Sequence, residues 1–199
     1  MTISEIGLLK LKPSHSIKDP ELQKKLGDIQ NGLHEFTGYQ FSFLQQARDP
    51  SFIYLLGQWE SLQSHYQGMH GSTSWKEQVM VMSKYFDFQW MAHYDFLIQD
   101  LDLDHCALEI MRFSLTADKK REFGEEATAA LRRFNSAADI RALGGWKVDE
   151  NRDTEEFVVL GPWKDLLMRD EDVRASGSPY EGLKGLADVI DVQYIHKVL

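Results

Sequence analysis

The chain has 199 residues, 43% of them apolar and 12% aromatic, and a formal net charge of −9, enough for one or two domains with a real core. The acidic balance is against nucleic acid, whose phosphates want clustered Lys and Arg, and against an anionic membrane surface. The one cysteine, Cys106, cannot make an internal disulfide, no apolar run approaches the roughly eighteen residues of a membrane helix, and the start lacks secretory-signal character, so a soluble cytoplasmic protein is expected.

In chain order, residues 3–12 (ISEIGLLKLK) are an apolar run with polar interruptions that ends at Pro13 and predicts a strand. Ser16, Asp19 and Pro20 supply helix-start chemistry. Behind them Leu22, Leu26, Ile29 and Leu33 recur at helical spacing and predict a helix with one buried stripe, ended by Gly38. YQFSFLQQ alternates like a strand, ARDPS is a turn, and FIYLLGQW is a continuous apolar run suited to a buried strand. ESLQSHYQGMHGS predicts a short helix broken near Gly71, and SWKEQVMVMSKYF a second helical piece. FDFQWMAHYDF predicts a closing strand with Phe86, Phe88, Trp90, Ala92 and Tyr94 on one face. Asp87, Gln89, Met91 and His93 fall on the other.

The second half reads in the same order. CALEIMRFSL is a strand and TADKKREFGEEATAALRRF a helix opened by Thr116 and Asp118. DIRALGGWKV and EEFVVLGPW are strands around the turn ENRDT. KDLLMRDEDV and YEGLKGLADV are helical pieces, and IDVQYIHKVL is the last strand.

The two halves are copies. An offset of 104 places Leu56 on Leu160, Gly57 on Gly161, Trp59 on Trp163, Leu62 on Leu166, Asp87 on Asp191 and Gln89 on Gln193, without a gap. The expected organisation is a first repeat at 1–97, a short acidic linker at 98–104 and a second repeat at 105–199. The order strand, helix, strand, strand, helix, strand is the split βαβ, ferredoxin-like arrangement. Such a unit leaves one sheet face open, and packing two copies sheet to sheet covers it. The predicted fold is therefore α+β: two ferredoxin-like repeats forming a pseudo-dimeric barrel within one chain, which can pair again as a homodimer.

The run LLGQWESLQSHYQGMHGSTSW resembles the strand-then-helix signature of the dimeric α/β-barrel superfamily, nearest to its antibiotic-biosynthesis-monooxygenase type of domain. There an apolar strand ends in a Trp, and a His follows about six residues on; the matching positions are Trp59 and His65. The second half keeps Trp163 and has Arg169 in place of the His. The resemblance implies cofactor-free oxygenases of aromatic polyketides, heme-degrading oxygenases, polyketide cyclases, muconolactone isomerases or dye-decolorizing peroxidases. Fold by itself does not choose among these.

Positions where the copies differ carry the functional expectation. His65, Tyr66 and His70 become Arg169, Asp170 and Arg174, so the fold does not require them. They are the predicted catalytic residues, with His65 as a general base. Trp59, Tyr39, Trp75 and Trp90 are predicted to bind substrate, within an aromatic-rich first half that suits a flat apolar ligand. Trp59, shared with the second half, also serves as core, and two His on one helix can be ordinary surface. The recurring Asp87/Asp191 and Gln89/Gln193 suggest a structural polar network in the barrel interior or across the pseudo-twofold.

No metal site is predicted, since His65 and His70 are five apart and not four. No phosphate loop or dinucleotide fingerprint is present. An organic cofactor is not expected; a heme would need a pocket His, for which His65 or His70 could serve. The expected function is a small-molecule biosynthetic enzyme acting on a hydrophobic aromatic or polycyclic intermediate by cofactor-independent monooxygenase-type chemistry. A polyketide cyclase or isomerase using the same His, or a non-catalytic ligand-binding or stress-related barrel, are the alternatives.

Overall fold

The computed structural model describes residues 1–69, 73–101, 103, 107–137, 141–149, 154–163 and 180–198. It divides into two compact units, Met1–Gln99 with His196–Leu199, and Asp100–Ile195. The final residues, counted with the second repeat in the sequence, group with the first unit, where Val198 N–H donates to the Phe43 carbonyl at 3.1 Å.

The first unit runs β1 (Ile3–Leu11), α1 (Pro20–Thr37), β2 (Ser42–Gln46), β3 (Phe52–Trp59), a π-helix (Ser64–Met69), α2 (Thr73–Tyr85) and β4 (Phe86–Tyr94). Its strands lie in the order β4-β1-β3-β2, antiparallel throughout. Helix α1 begins where local chemistry favours it. The Asp19 side chain accepts from Glu21 N–H, Pro20 supplies a preset φ, and Gly38 closes the helix at φ 76°. Its buried stripe is Leu22, Leu26, Ile29 and Leu33, the four residues that the periodicity marks.

The second unit runs β5 (Ala107–Leu115), α3 (Lys120–Ala137), β6 (Leu143–Trp146), β7 (Glu155–Trp163), α4 (Glu181–Lys184) and β8 (Val189–Lys197), with strand order β8-β5-β7-β6. Its core holds Met111, Phe113, Phe123, Phe157, Tyr180 and Leu183 among others. The Phe123 ring meets Phe113, Trp146 and Phe157 at 5.3–5.9 Å between centroids. The helical piece expected at residues 164–173 lies outside the described residues. So do the turn at 150–153 and residues 102 and 104 of the linker.

One local irregularity reorganises the first sheet. The β1–β4 register slips, with Leu8 opposite Trp90 but Leu9 opposite Phe88, so Gln89 is the extra residue of a β-bulge. Simple alternation over the whole strand therefore fails. Phe86 and Phe88 stand on the same face as Met91 and His93, opposite the odd-numbered residues Glu5 to Leu11 of β1. Trp90, Ala92 and Tyr94 take the other face. The expected interior polar network at Asp87 and Gln89 is also corrected. Both residues are exposed, and Gln89 Nε2 donates to the Asp87 carbonyl at 3.2 Å, a contact within one strand.

Gly57 shows a second local demand. It lies opposite Glu5 on β1, and a Cβ built there would stand 2.0 Å from the ring of Phe41. The twin Gly161 has room, its nearest neighbour being Trp163 Nε1 at 3.6 Å. Gly57→Ala is expected to destabilise the first unit by about 1–3 kcal/mol, the usual cost of overpacking. Gly161→Ala should unfold like the wild type; urea titration of both variants measures the difference.

Candidate functional site

Three residues far apart in sequence meet beneath the helices of the first unit. Glu5 lies on β1 and pairs directly with His93 on β4, so both side chains leave the sheet on one face. His65 comes from the π-helix behind β3. A π-helical turn is wider than an α-turn and is found often at functional sites. Here it sets the imidazole of His65 over the end of β3. All three are buried: Glu5 and His65 are each 2% exposed and His93 0%.

The geometry is that of a hydrogen-bonded cluster. His93 Nε2 lies 2.9 Å from His65 Nδ1, so one nitrogen donates and the other accepts. Glu5 Oε2 is 3.5 Å from Nε2 of each histidine, and it accepts the indole N–H of Trp59 at 2.8 Å. The Trp59 ring lies over His65 at 4.3 Å between centroids, with Phe36 and Phe41 edge-on to it. The bound indole N–H and the imidazoles compensate a carboxylate that would otherwise be costly to bury.

The cluster closes one end of an apolar cavity of about 300 Å³, the low end of the range for small-molecule sites. Its floor includes Gly7, Leu9, Phe43, Leu55 and Met91 on the sheet. Its walls include Ile29 and Leu33 of α1, Trp75, Val79 and Met82 of α2, and Phe86 and Phe88. Glu5, Trp59 and His65 also line it, bringing the polar groups to the apolar space.

At an offset of 104 the cavity floor has a filled counterpart. Gly7 on the floor corresponds to Met111, which is 2% exposed in the packed core of the second unit. Glu5 corresponds to Glu109, which keeps the shared part of the arrangement. Trp163 Nε1 donates to Glu109 Oε2 at 3.3 Å. The Tyr194 hydroxyl also donates to Glu109, at Oε1 and 3.3 Å. Tyr180 is also buried, and burial, with the Glu109 charge as a second cause, pushes its phenol well above the usual range. The Glu–Trp pair is thus common to both units, and the histidine pair belongs to the first.

Of the residues singled out in the sequence, Trp59, His65 and Trp75 line the cavity. Tyr66 is about half exposed, with its ring 5.0 Å from His65 and 5.7 Å from His93. Tyr39 lies in the loop after α1 and is not among the lining residues. Trp90 is not among them either. The bulge places it on the opposite sheet face, edge-on to Tyr54 at 6.2 Å. His70, Arg169, Asp170 and Arg174 lie outside the described residues. Glu5 and His93 are the members that sequence reasoning did not select. Glu5 carried a signal, a carboxylate inside an apolar strand repeated at Glu109 in the same register. His93 carried none.

A heme axial ligand must present a ring nitrogen to the porphyrin face; His93 has no exposed surface and His65 Nδ1 is taken by His93 Nε2 at 2.9 Å, which leaves His65 Nε2, 3.5 Å from Glu5 Oε2, at the cavity wall.

No family model matches the chain, and no curated protein matches it. Solved structures do. The chain is similar to a candidate monooxygenase from Fusobacterium nucleatum subsp. nucleatum ATCC 25586, at 11% identity and TM-score 0.69, over 100% of this chain and 93% of the other. It is similar to a candidate monooxygenase from Lactobacillus acidophilus NCFM, at 10% identity and TM-score 0.66, over 100% and 94%. An anthrone oxidase-like protein matches at 9% identity and TM-score 0.61, over 100% and 92%. These are proteins of the dimeric α/β-barrel superfamily. At such identities the likeness shows the fold, and the chain shares theirs. Among the described residues, no helix is long and apolar enough to cross a membrane.

Proposed function

We propose that the chain is an enzyme of small-molecule biosynthesis that oxygenates a hydrophobic aromatic or polycyclic substrate held in the first-unit cavity, without an organic cofactor. The observation that carries this reading is the buried Glu5–His65–His93 cluster at the end of an apolar cavity. A space lined by rings and aliphatic groups takes a flat apolar molecule, and convergent polar groups at one end orient it. His65 accepts a phenolic or enolic proton from the substrate. Glu5 stabilises the imidazolium that forms, and His93 fixes the ring through Nδ1. The resulting carbanion adds dioxygen, the peroxide O–O bond breaks as the second C–H proton is lost, one oxygen stays as the new carbonyl and the other leaves as water, with the substrate carbon supplying all four electrons. Neighbours named as monooxygenase and anthrone oxidase-like support this class of chemistry. The recurring element and strand orders support reading the chain as two ferredoxin-like repeats of the dimeric α/β-barrel type.

The test is a panel of anthrones and hydroxylated polycyclic compounds, followed by oxygen uptake and product mass. Oxygen consumed with one atom retained in the product is the expected result. Turnover with no oxygen uptake would assign the same base to cyclisation or isomerisation. Gly7→Met carries the second unit's side chain onto the cavity floor, where a new Cβ meets Leu55 Cβ at 3.7 Å, an ordinary contact. This variant should melt like the wild type and lose binding. Undiminished turnover in Gly7→Met would remove the cavity from the function.

A further inference from the structure

We infer that Glu5, His65 and His93 form a binding site for one divalent transition-metal ion of the zinc type. The inference goes beyond the proposed reaction and does not depend on it. Two imidazoles and one carboxylate are a donor set that zinc and its neighbours in the first transition row favour. The spacing fits. A tetrahedral ion with bonds of about 2.0–2.2 Å holds its ligand atoms about 3.3–3.5 Å apart. Glu5 Oε2 lies 3.5 Å from Nε2 of His65 and 3.5 Å from Nε2 of His93, and the three donor atoms lie within 4.8 Å of one another.

The support around the donors is what a metal site needs. Glu5 and His93 are cross-strand partners on β1 and β4, so two ligands ride on rigid elements. Trp59 N–H donates to the ligating oxygen at 2.8 Å, the type of outer contact that orients a carboxylate ligand. Glu5 and His65 also line the cavity. Three protein ligands with a side toward a cavity is the pattern of a site that keeps a position for water or substrate. The second unit retains Glu109 and Trp163 but supplies a tyrosine hydroxyl where the first has imidazole. The histidine pair is therefore not a requirement of the shared fold. A metal there withdraws the His65 nitrogens from proton transfer, so metal-bound and base-competent forms are alternative states of one cluster.

The test uses the full chain, stripped with a chelator and titrated with Co²⁺ and then Zn²⁺. The expected result is one ion per chain, visible absorption of low-coordinate Co²⁺ that Zn²⁺ displaces, and a raised Tm. Glu5→Gln and His93→Gln should each weaken binding by roughly a hundred-fold or more, beyond the 10–100-fold typical of losing an outer-shell partner. Glu109→Gln should leave it unchanged. Ring ¹⁵N NMR of the wild type needs no variant: of the seven histidines, His65 and His93 should shift on adding Zn²⁺. No uptake by the wild type, or shifts confined to other histidines, overturns the site. Absent metal uptake together with loss of turnover in His65→Ala sinks the metal and leaves the base. Metal uptake without turnover on any substrate does the reverse.

Discussion

Replacing His65 by Ala is expected to lower turnover about 100- to 10,000-fold, the usual worth of a positioned general base. The imidazole is 2% exposed and stands at the cavity wall between Trp59 and His93. The 104-residue offset in sequence pairs it with Arg169. Burial adds a structural cost. Loss of the ring removes a partner from His93 and from Glu5, worth about 1–3 kcal/mol. Glu5 keeps the Trp59 indole and His93, so the variant should still fold. The measurement pairs a urea titration with product formation on the true substrate. A folded His65→Ala protein with wild-type turnover would make this histidine a bystander and move the base to Glu5.

Trp59→Ala should be the most damaging single change to stability, at about 3–5 kcal/mol. The side chain is 1% exposed and touches Phe36, Phe41 and His65 through its ring faces and edge. Its N–H is also the short donor to buried Glu5, at 2.8 Å. Trp59→Phe separates the two contributions. It keeps most of the ring packing and removes only the donor, which should cost about 1–3 kcal/mol. For a chain of this length each kcal/mol lowers Tm by about 2–4 °C, so calorimetry resolves Ala from Phe. Equal losses in the two variants would show that packing contributes little and the hydrogen bond carries the effect.

The two histidine-side assignments were unequally accessible from sequence. Trp59 and His65 were legible because a strand ends in Trp and a divergent His follows within one short segment. Trp75, Tyr39 and Trp90 were all selected on composition, and composition has no direction. A residue's face on a strand follows from counting by two, and one extra residue, Gln89, inverts the count for everything on one side of it. That is why Phe86 and Phe88, not Trp90, reach the cavity.

By itself the sequence determined the order of strands and helices and the limits of α1. Those properties rest on local periodicity and on caps such as Asp19 and Gly38, which are written along the chain. It also determined that His65, Tyr66 and His70 stand where the 104-residue offset places Arg169, Asp170 and Arg174. The tertiary structure alone decided that residues 5, 65 and 93 converge to within 4.8 Å, because that contact depends on which strands pair and in what register. It alone decided that Gly7 opens a cavity where Met111 fills a core. A missing side chain becomes space only when the elements around it are held apart, and packing between distant segments sets that distance.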